Sequence, residues 1–243
     1  MSNPESVKKK KTSNCVLPEH SVNAIVECIR QFFISADNEA QFKDHGLLTA
    51  RDNLIRSVQE SFSSITSVLQ LCIDNTYHVS HSFNVATMSV AVGIKIGLKH
   101  EDLSLLALSA LAHDIGKLKL PDQILYKSGK LTPKEKELYA LHVPLGYKMA
   151  KDELLFNPTV CRIILEHHEN SNGSGYPRGL SGQDIHQLAM IIHVVSKFDT
   201  KVNKSHTPNP ASVSDIIKEM LYNNELYNPQ ALYSLVHMVR FTK

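Results

Sequence analysis

The sequence predicts an all-α chain, a helical bundle with an N-terminal helical extension. Three observations predict it. Apolar residues recur at three- and four-residue spacing along most of the 243 residues, the period that lines up one face of a helix. No stretch shows the strict apolar/polar alternation of a half-buried strand. Helix-starting residues also open several of the periodic runs, as at Thr132-Pro133 and Asn157-Pro158. An apolar content of 42% is ample for a sizeable core.

Residues 1–15 read as a disordered basic tail whose Lys8–Lys11 run is a solvated charge cluster. Residues 16–73 read as an N-terminal helical region, with periodic runs over Val16–Phe33 and Leu47–Ile73 separated by the polar stretch Ser35–Gly46. The remainder, 74–243, carries the chemistry. A helix beginning near Asn75 puts His81, Val85, Met88 and Val92 on one stripe. The next, over Glu101–Ile115, leads Leu103, Leu106 and Ala110 to His113 and Asp114 on its buried side, with Gly116 as the expected stop. Thr132, Pro133 and Glu135 form a capping box for a helix whose inward stripe is Leu138, His142, Leu145 and Met149. Pro144 should kink or interrupt that helix.

Asn157-Pro158 opens a further helix, along which Val160, Ile164 and His168 align by fours and Ile163 precedes His167 by four. The loop "NGSGYPRGLSG" follows, then a helix near Asp184–Lys197 and two short ones around Ser212–Leu221 and Pro229–Val239.

Composition excludes several classes of function. The net charge is +2, and without the lysine run the chain is close to neutral, so no specific nucleic-acid binding is expected. The four cysteines (Cys15, Cys28, Cys72, Cys161) show no CxxC spacing and read as reduced thiols of a cytoplasmic protein. No apolar run approaches the roughly 18–20 residues of a membrane span. The polar, basic N-terminus shows no signal peptide.

Histidine is the anomaly, with 13 present and no tryptophan. The inward-facing set is His81, His113 with Asp114, His142, and His167 with His168, drawn from four helices. Imidazoles with a carboxylate suit borderline divalent metals such as iron, manganese or zinc. Six candidate side chains exceed the needs of one tetrahedral ion, so two ions bridged by Asp114 is the natural count. Such a pair can activate water and clamp the oxygens of a phosphodiester. Lys117 stands ready to neutralise a phosphate oxygen.

Taken in order, "HSFNVA", "HDIGKLKLPDQILYKSGKLT", "HVPLGYKMA" and "HHENSNGSGYPRGLSG" resemble the HD-GYP family, a branch of the HD metal-dependent phosphohydrolases. The resemblance runs from about Asn75 to the C-terminus. It implies a phosphodiesterase that hydrolyses cyclic di-GMP to pGpG or GMP, with a metal centre of iron or manganese. It implies His81, His113, Asp114, His142, His167 and His168 as metal ligands, and Lys117 as the phosphate-facing lysine. Gly173, Gly175, Tyr176 and Pro177 become a loop near the substrate pocket that also contacts protein partners.

The chain departs from the family pattern at several points. Ser196 in "IIHVVSKFDTKV" stands where the family has a ligating aspartate, leaving Asp199 and His193 as compensating candidates. Tyr77 stands where some members have a glutamate for a third metal, so a trinuclear site is not expected. "NKSHTPNP" replaces a basic substrate-gripping segment, with Lys204 and His206 as stand-ins, and Asn172 replaces the usual loop acid. These departures keep two competing readings alongside cyclic di-GMP hydrolysis. One is a degenerate domain that binds nucleotide or a partner protein without efficient turnover; the other is hydrolysis of a different nucleotide.

Overall fold

The computed structural model describes residues 17–37, 46–62, 77–203 and 211–239. The basic tail, Lys204 and His206 lie outside the described residues, as does most of 62–76, where the expected boundary at 74 falls. Among the described residues the regular structure is entirely helical, with one isolated bridge, Asn172 to Ser181.

The long helices are α1 (Glu19–Asp37), α2 (Leu47–Ser61), α3 (Tyr77–Lys95), α4 (His100–Ala112) and α9 (Gln187–Asn203). Shorter ones are α5 (Asp122–Leu125), α6 (Pro133–Ala140), α7 (His142–Lys148), α8 (Pro158–Glu166), α10 (Val213–Tyr222) and α11 (Pro229–Met238). A 3-10 turn over Ile115–Lys119 follows α4, and a π-helical turn over Met149–Glu153 extends α7.

α3 is the axis of the bundle, touching α1, α2, α4, α9 and α11. The single stripe expected on it is too narrow, because every residue from Ser82 to Val92 is buried. A helix surrounded by partners has no solvent side to leave polar, which is why its apolar pattern shows only weak periodicity. α1 and α2 contribute Ile25, Ile29, Phe32, Leu54 and Ile55 to the same continuous core as Phe83 and Phe198. Each such side chain contributes on the order of 1.5–3 kcal/mol by leaving water. The N-terminal helices are therefore packed on the bundle.

Local signals explain the helix ends. Thr132 and Glu135 form the expected reciprocal capping box, with Pro133 in the first turn. Asn157 accepts from the Thr159 amide (2.8 Å) at the head of α8. The interruption expected from Pro144 appears as a break at Leu141, and α7 restarts at His142. That break corrects the stripe read through Leu138: α6 has no buried residue and Leu138 is exposed, whereas His142 and Met149 are buried. Gly116 is also corrected. α4 ends at Ala112, and Gly116 has no positive φ. Its role is close approach, since a Cβ there would overlap the His142 carbonyl and the Gly146 amide. The last helices begin and end within a few residues of expectation, although α9 runs on to Asn203.

Candidate metal centre

Each element delivers its ligand candidate at a fixed point. α3 carries His81 on its buried surface. The end of α4 carries His113 and Asp114, held against α7 by the Gly116 contact, and His142 is the first residue of α7. His167 closes α8, and His168 follows it.

Asp114 is the pivot. Its Oδ2 lies 3.4 Å from His81 Nε2 and 3.3 Å from His113 Nε2. Its Oδ1 lies 3.3 Å from His142 Nε2 and 3.8 Å from His167 Nε2. Two groups of donors result, each with its ligand atoms within 4.8 Å of one another: Asp114, His142, His167 and His168, and His81, His113 and Asp114. The six expected ligand residues are thus brought together around one carboxylate.

The outer nitrogens show which way the rings are set. Nδ1 of His113 donates to the Ala110 carbonyl (2.7 Å), that of His142 to Tyr139 (2.6 Å), and that of His167 to Ile164 (2.7 Å). His81 Nδ1 donates instead to Asp199 Oδ2 (2.7 Å). With the proton on Nδ1, each neutral ring turns an Nε2 lone pair inward. Lone pairs and carboxylate oxygens, all acceptors, then converge: His81 and His113 Nε2 face each other at 3.2 Å. Asp114 Oδ1, His142 Nε2, His167 Nε2 and His168 Nδ1 are buried without a hydrogen-bond partner. Buried acceptors aimed at one another are unfavourable unless a cation sits among them. This donor set fits borderline divalent metals.

The electrostatics agree. Burial pushes the Asp114 carboxyl up, but His113 and Lys117 outweigh it and hold it well below the usual carboxylate range. Burial, reinforced by neighbouring imidazoles, holds His167 and His168 well below the ordinary histidine value. His81 is the exception: burial alone would lower it, yet hydrogen bonds to Asp114 and Asp199 raise it. A proton and a metal would compete for the same Nε2.

Lys117 is buried beside the centre, its ammonium paired with Asp114 Oδ2 and 5.4 Å from the centre of the Tyr139 ring. Tyr176 stacks on His168 with centroids 4.8 Å apart. Gly175 allows the loop to fold back on His168 and Glu169, because a Cβ there would overlap Asn170 and Glu169 backbone. Gly173 takes a positive φ of 82°.

The two compensating candidates stand outside both donor groups. Asp199 holds the outer nitrogen of His81. His193 donates to the His167 carbonyl (3.2 Å), packs on Tyr227, and has its pKa pushed down to about 3 by burial. Ser196 does lie at the centre, its Oγ 3.4 Å from His81 Nε2. Asn172 is turned inward to its own loop, accepting from Ser174.

Two glutamates support that loop: nothing in the sequence singles out Glu166, and Glu169, beside the histidine pair, is marked there as a potential ligand or proton carrier and not as a support. Glu166, fully buried, accepts from Arg162 (2.8 Å), from Arg178 and from the His186 amide (2.7 Å). Glu169 accepts from the amides of Arg178 (2.7 Å) and Leu180 (3.0 Å). The available signal was a loop rich in backbone donors with no ladder to receive them.

A profile described as HD domain matches residues 53–231. A cyclic di-GMP phosphodiesterase of Thermotoga maritima is 30% identical over 160 residues, 65% of this chain and 44% of that protein. A 3'3'-cGAMP-specific phosphodiesterase of Vibrio cholerae is 30% identical over 163 residues, 66% of this chain and 38% of that protein. The chain thus spans less than half the length of these two relatives. Among solved structures, Bd1817, an HDG"Y"P protein from Bdellovibrio bacteriovorus, superposes with a TM-score of 0.69 at 22% identity, covering 95% of this chain and 73% of that one. That likeness supports the helical fold.

Proposed function

The chain belongs to the HD domain family, in its HD-GYP branch, and from that premise we propose that it is a metal-dependent phosphodiesterase of cyclic dinucleotides. Cyclic di-GMP is the first substrate and pGpG or GMP the product, with cytoplasmic action. One observation carries the reading: the buried Nε2 lone pairs of His81, His113, His142 and His167 converge on the two oxygens of Asp114.

Asp114, His142, His167 and His168 would hold one divalent ion, and His81, His113 and Asp114 a second, with iron or manganese the preferred metals. Bound there, the ions supply Lewis-acid charge for hydrolysis of a phosphodiester. The residues of the chain do the rest. Asp114 serves both donor groups at once, so it fixes their spacing. Lys117 presents a desolvated ammonium beside that carboxylate, where it can take up charge developing on a non-bridging phosphate oxygen. Tyr176, stacked on His168, walls the site and limits water access. The exposed Pro177 and Gly179 form the rim that a protein partner would touch.

The deciding experiment pairs elemental analysis of anaerobically purified protein with turnover of cyclic di-GMP and of 3'3'-cGAMP, iron or manganese supplied. About two metals per chain with linear product is the expected result. Well-folded, metal-loaded protein that turns over neither nucleotide would overturn the reading. Turnover of 3'3'-cGAMP alone would change the substrate and keep the reaction class.

A further inference from the structure

Resting on the metal-centre reading above, we propose that Asp199 is a positioning residue for the three-donor side of the centre, supplying through His81 the negative charge that Ser196 does not. Within the two donor groups, the four imidazoles whose Nδ1 has a partner are not held alike. His113, His142 and His167 donate to backbone carbonyls, whereas His81 donates to a carboxylate. A carboxylate bears a full charge where a carbonyl bears a partial one. Its hydrogen bond makes the opposite ring nitrogen a stronger donor to a metal.

That stronger ligand stands where the centre is poorest. His81 belongs to the group of three donors, against four in the other group, with Asp114 counted in both. Beside its Nε2, apart from the shared Asp114 Oδ2, lies only the neutral hydroxyl of Ser196. Asp199 lies three residues further along α9, on the same buried face, with Ser196 and Asp199 only 5% and 3% exposed. Its second oxygen accepts from Asn203 Nδ2 at 2.7 Å, one turn on. Held at both oxygens, the carboxylate bears on the metal through the His81 ring.

The test titrates metal-free, full-length protein with manganese or cobalt and follows binding by calorimetry and cobalt absorption. The parent should bind in a tighter and a weaker step. Asp199→Asn keeps an acceptor for His81 but removes the charge, and should weaken only the weaker step, by about tenfold; Asp199→Ala should weaken it by roughly a hundredfold. Ser196→Asp should recover that step in the Asp199→Asn background. Asn203→Ala, which leaves the His81 bond in place, should give a smaller change in the same step. It serves as the test should the Asp199 variants not fold. Parental binding in both steps by Asp199→Asn, or equal weakening of both together with a lower melting temperature, would overturn the proposal. Selective loss of the weaker step in a protein that hydrolyses no nucleotide would support the Asp199 role while removing the phosphodiesterase reading.

Discussion

The hydroxyl of Ser196 lies 3.4 Å from Nε2 of His81, inside the centre and not beside it. A carboxylate on the same α9 position would reach the three-donor group, so Ser196→Asp should raise metal affinity there by about tenfold or more. Turnover at limiting metal should rise with it. Titration of metal-free protein reads the effect, and unchanged affinity would mean that α9 does not offer a ligand at this position.

Asp114 is the one residue common to both donor groups. Asp114→Ala should remove both metals to background by elemental analysis and abolish hydrolysis. Asp114→Asn, which keeps the shape and loses the charge, should bind metal poorly for the same reason. Retention of two ions by either variant would show that the histidines alone define the sites.

Lys117 is paired with Asp114 but is in neither donor group. Lys117→Met should therefore leave metal content near the parental value and lower kcat by about a hundredfold to a thousandfold, the usual cost of removing one charge-stabilising donor. A fall in metal content matching the fall in rate would make Lys117 structural.

A Cβ on Gly175 would come within 2.2 Å of the Asn170 amide nitrogen and 2.5 Å of the Glu169 Cα. Gly175→Ala forces that segment apart, and overpacking of this kind costs roughly 1–3 kcal/mol. The change should fall on the loop that carries Tyr176, seen as raised KM and a lower melting temperature, with metal content kept. A variant with parental KM and stability would show that the loop relaxes freely.

His78, one turn before His81 on α3, is buried between the rings of Phe33 and Tyr126. Burial, then the positive charges of Lys117 and His81, push its pKa down to about 4 against the pull of Asp114. Because the folded value lies below the unfolded one near 6.5, the unfolded chain takes up the proton first. The stability tied to neutral His78 is complete above about pH 6.5 and falls toward pH 4, by an amount on the order of 3 kcal/mol. In chelator-treated protein, melting of His78→Phe should lose less on going from pH 7 to 4.5 than the parent does. Parallel curves would assign the acid sensitivity to other groups.

The all-α class and most helix starts were legible because they depend on local pattern, as the Thr132 capping box shows. The six ligand candidates were legible for a different reason: their residue types are costly to bury and recur at inward helical positions. Tertiary relationships were not. By sequence Asp199 is a ligand candidate, but the register of α9 against α3 sets it on the outer nitrogen of His81. Leu138 falls on a stripe that the break at Leu141 disrupts, and Gly116 resembles a helix stop at the point where α7 crosses over it. The supporting roles of Glu166 and Glu169 are not legible because, apart from Arg162 one turn back on α8, their partners are Arg178 and backbone amides that only the folded loop brings up.

The carbonyl clamps on His113, His142 and His167 divide labour between chain and ion. In a zinc finger the metal organises its own ligands, and its removal unfolds the domain. Here each clamping carbonyl lies three residues before its histidine, so the ring is aimed by its own turn of chain over an apolar core already assembled. An ion bound here would inherit an ordered socket and would not bear the entropy of building it. Such a centre should be strippable and reloadable with the chain still folded, which would make metal identity depend on supply and exchange as much as on sequence.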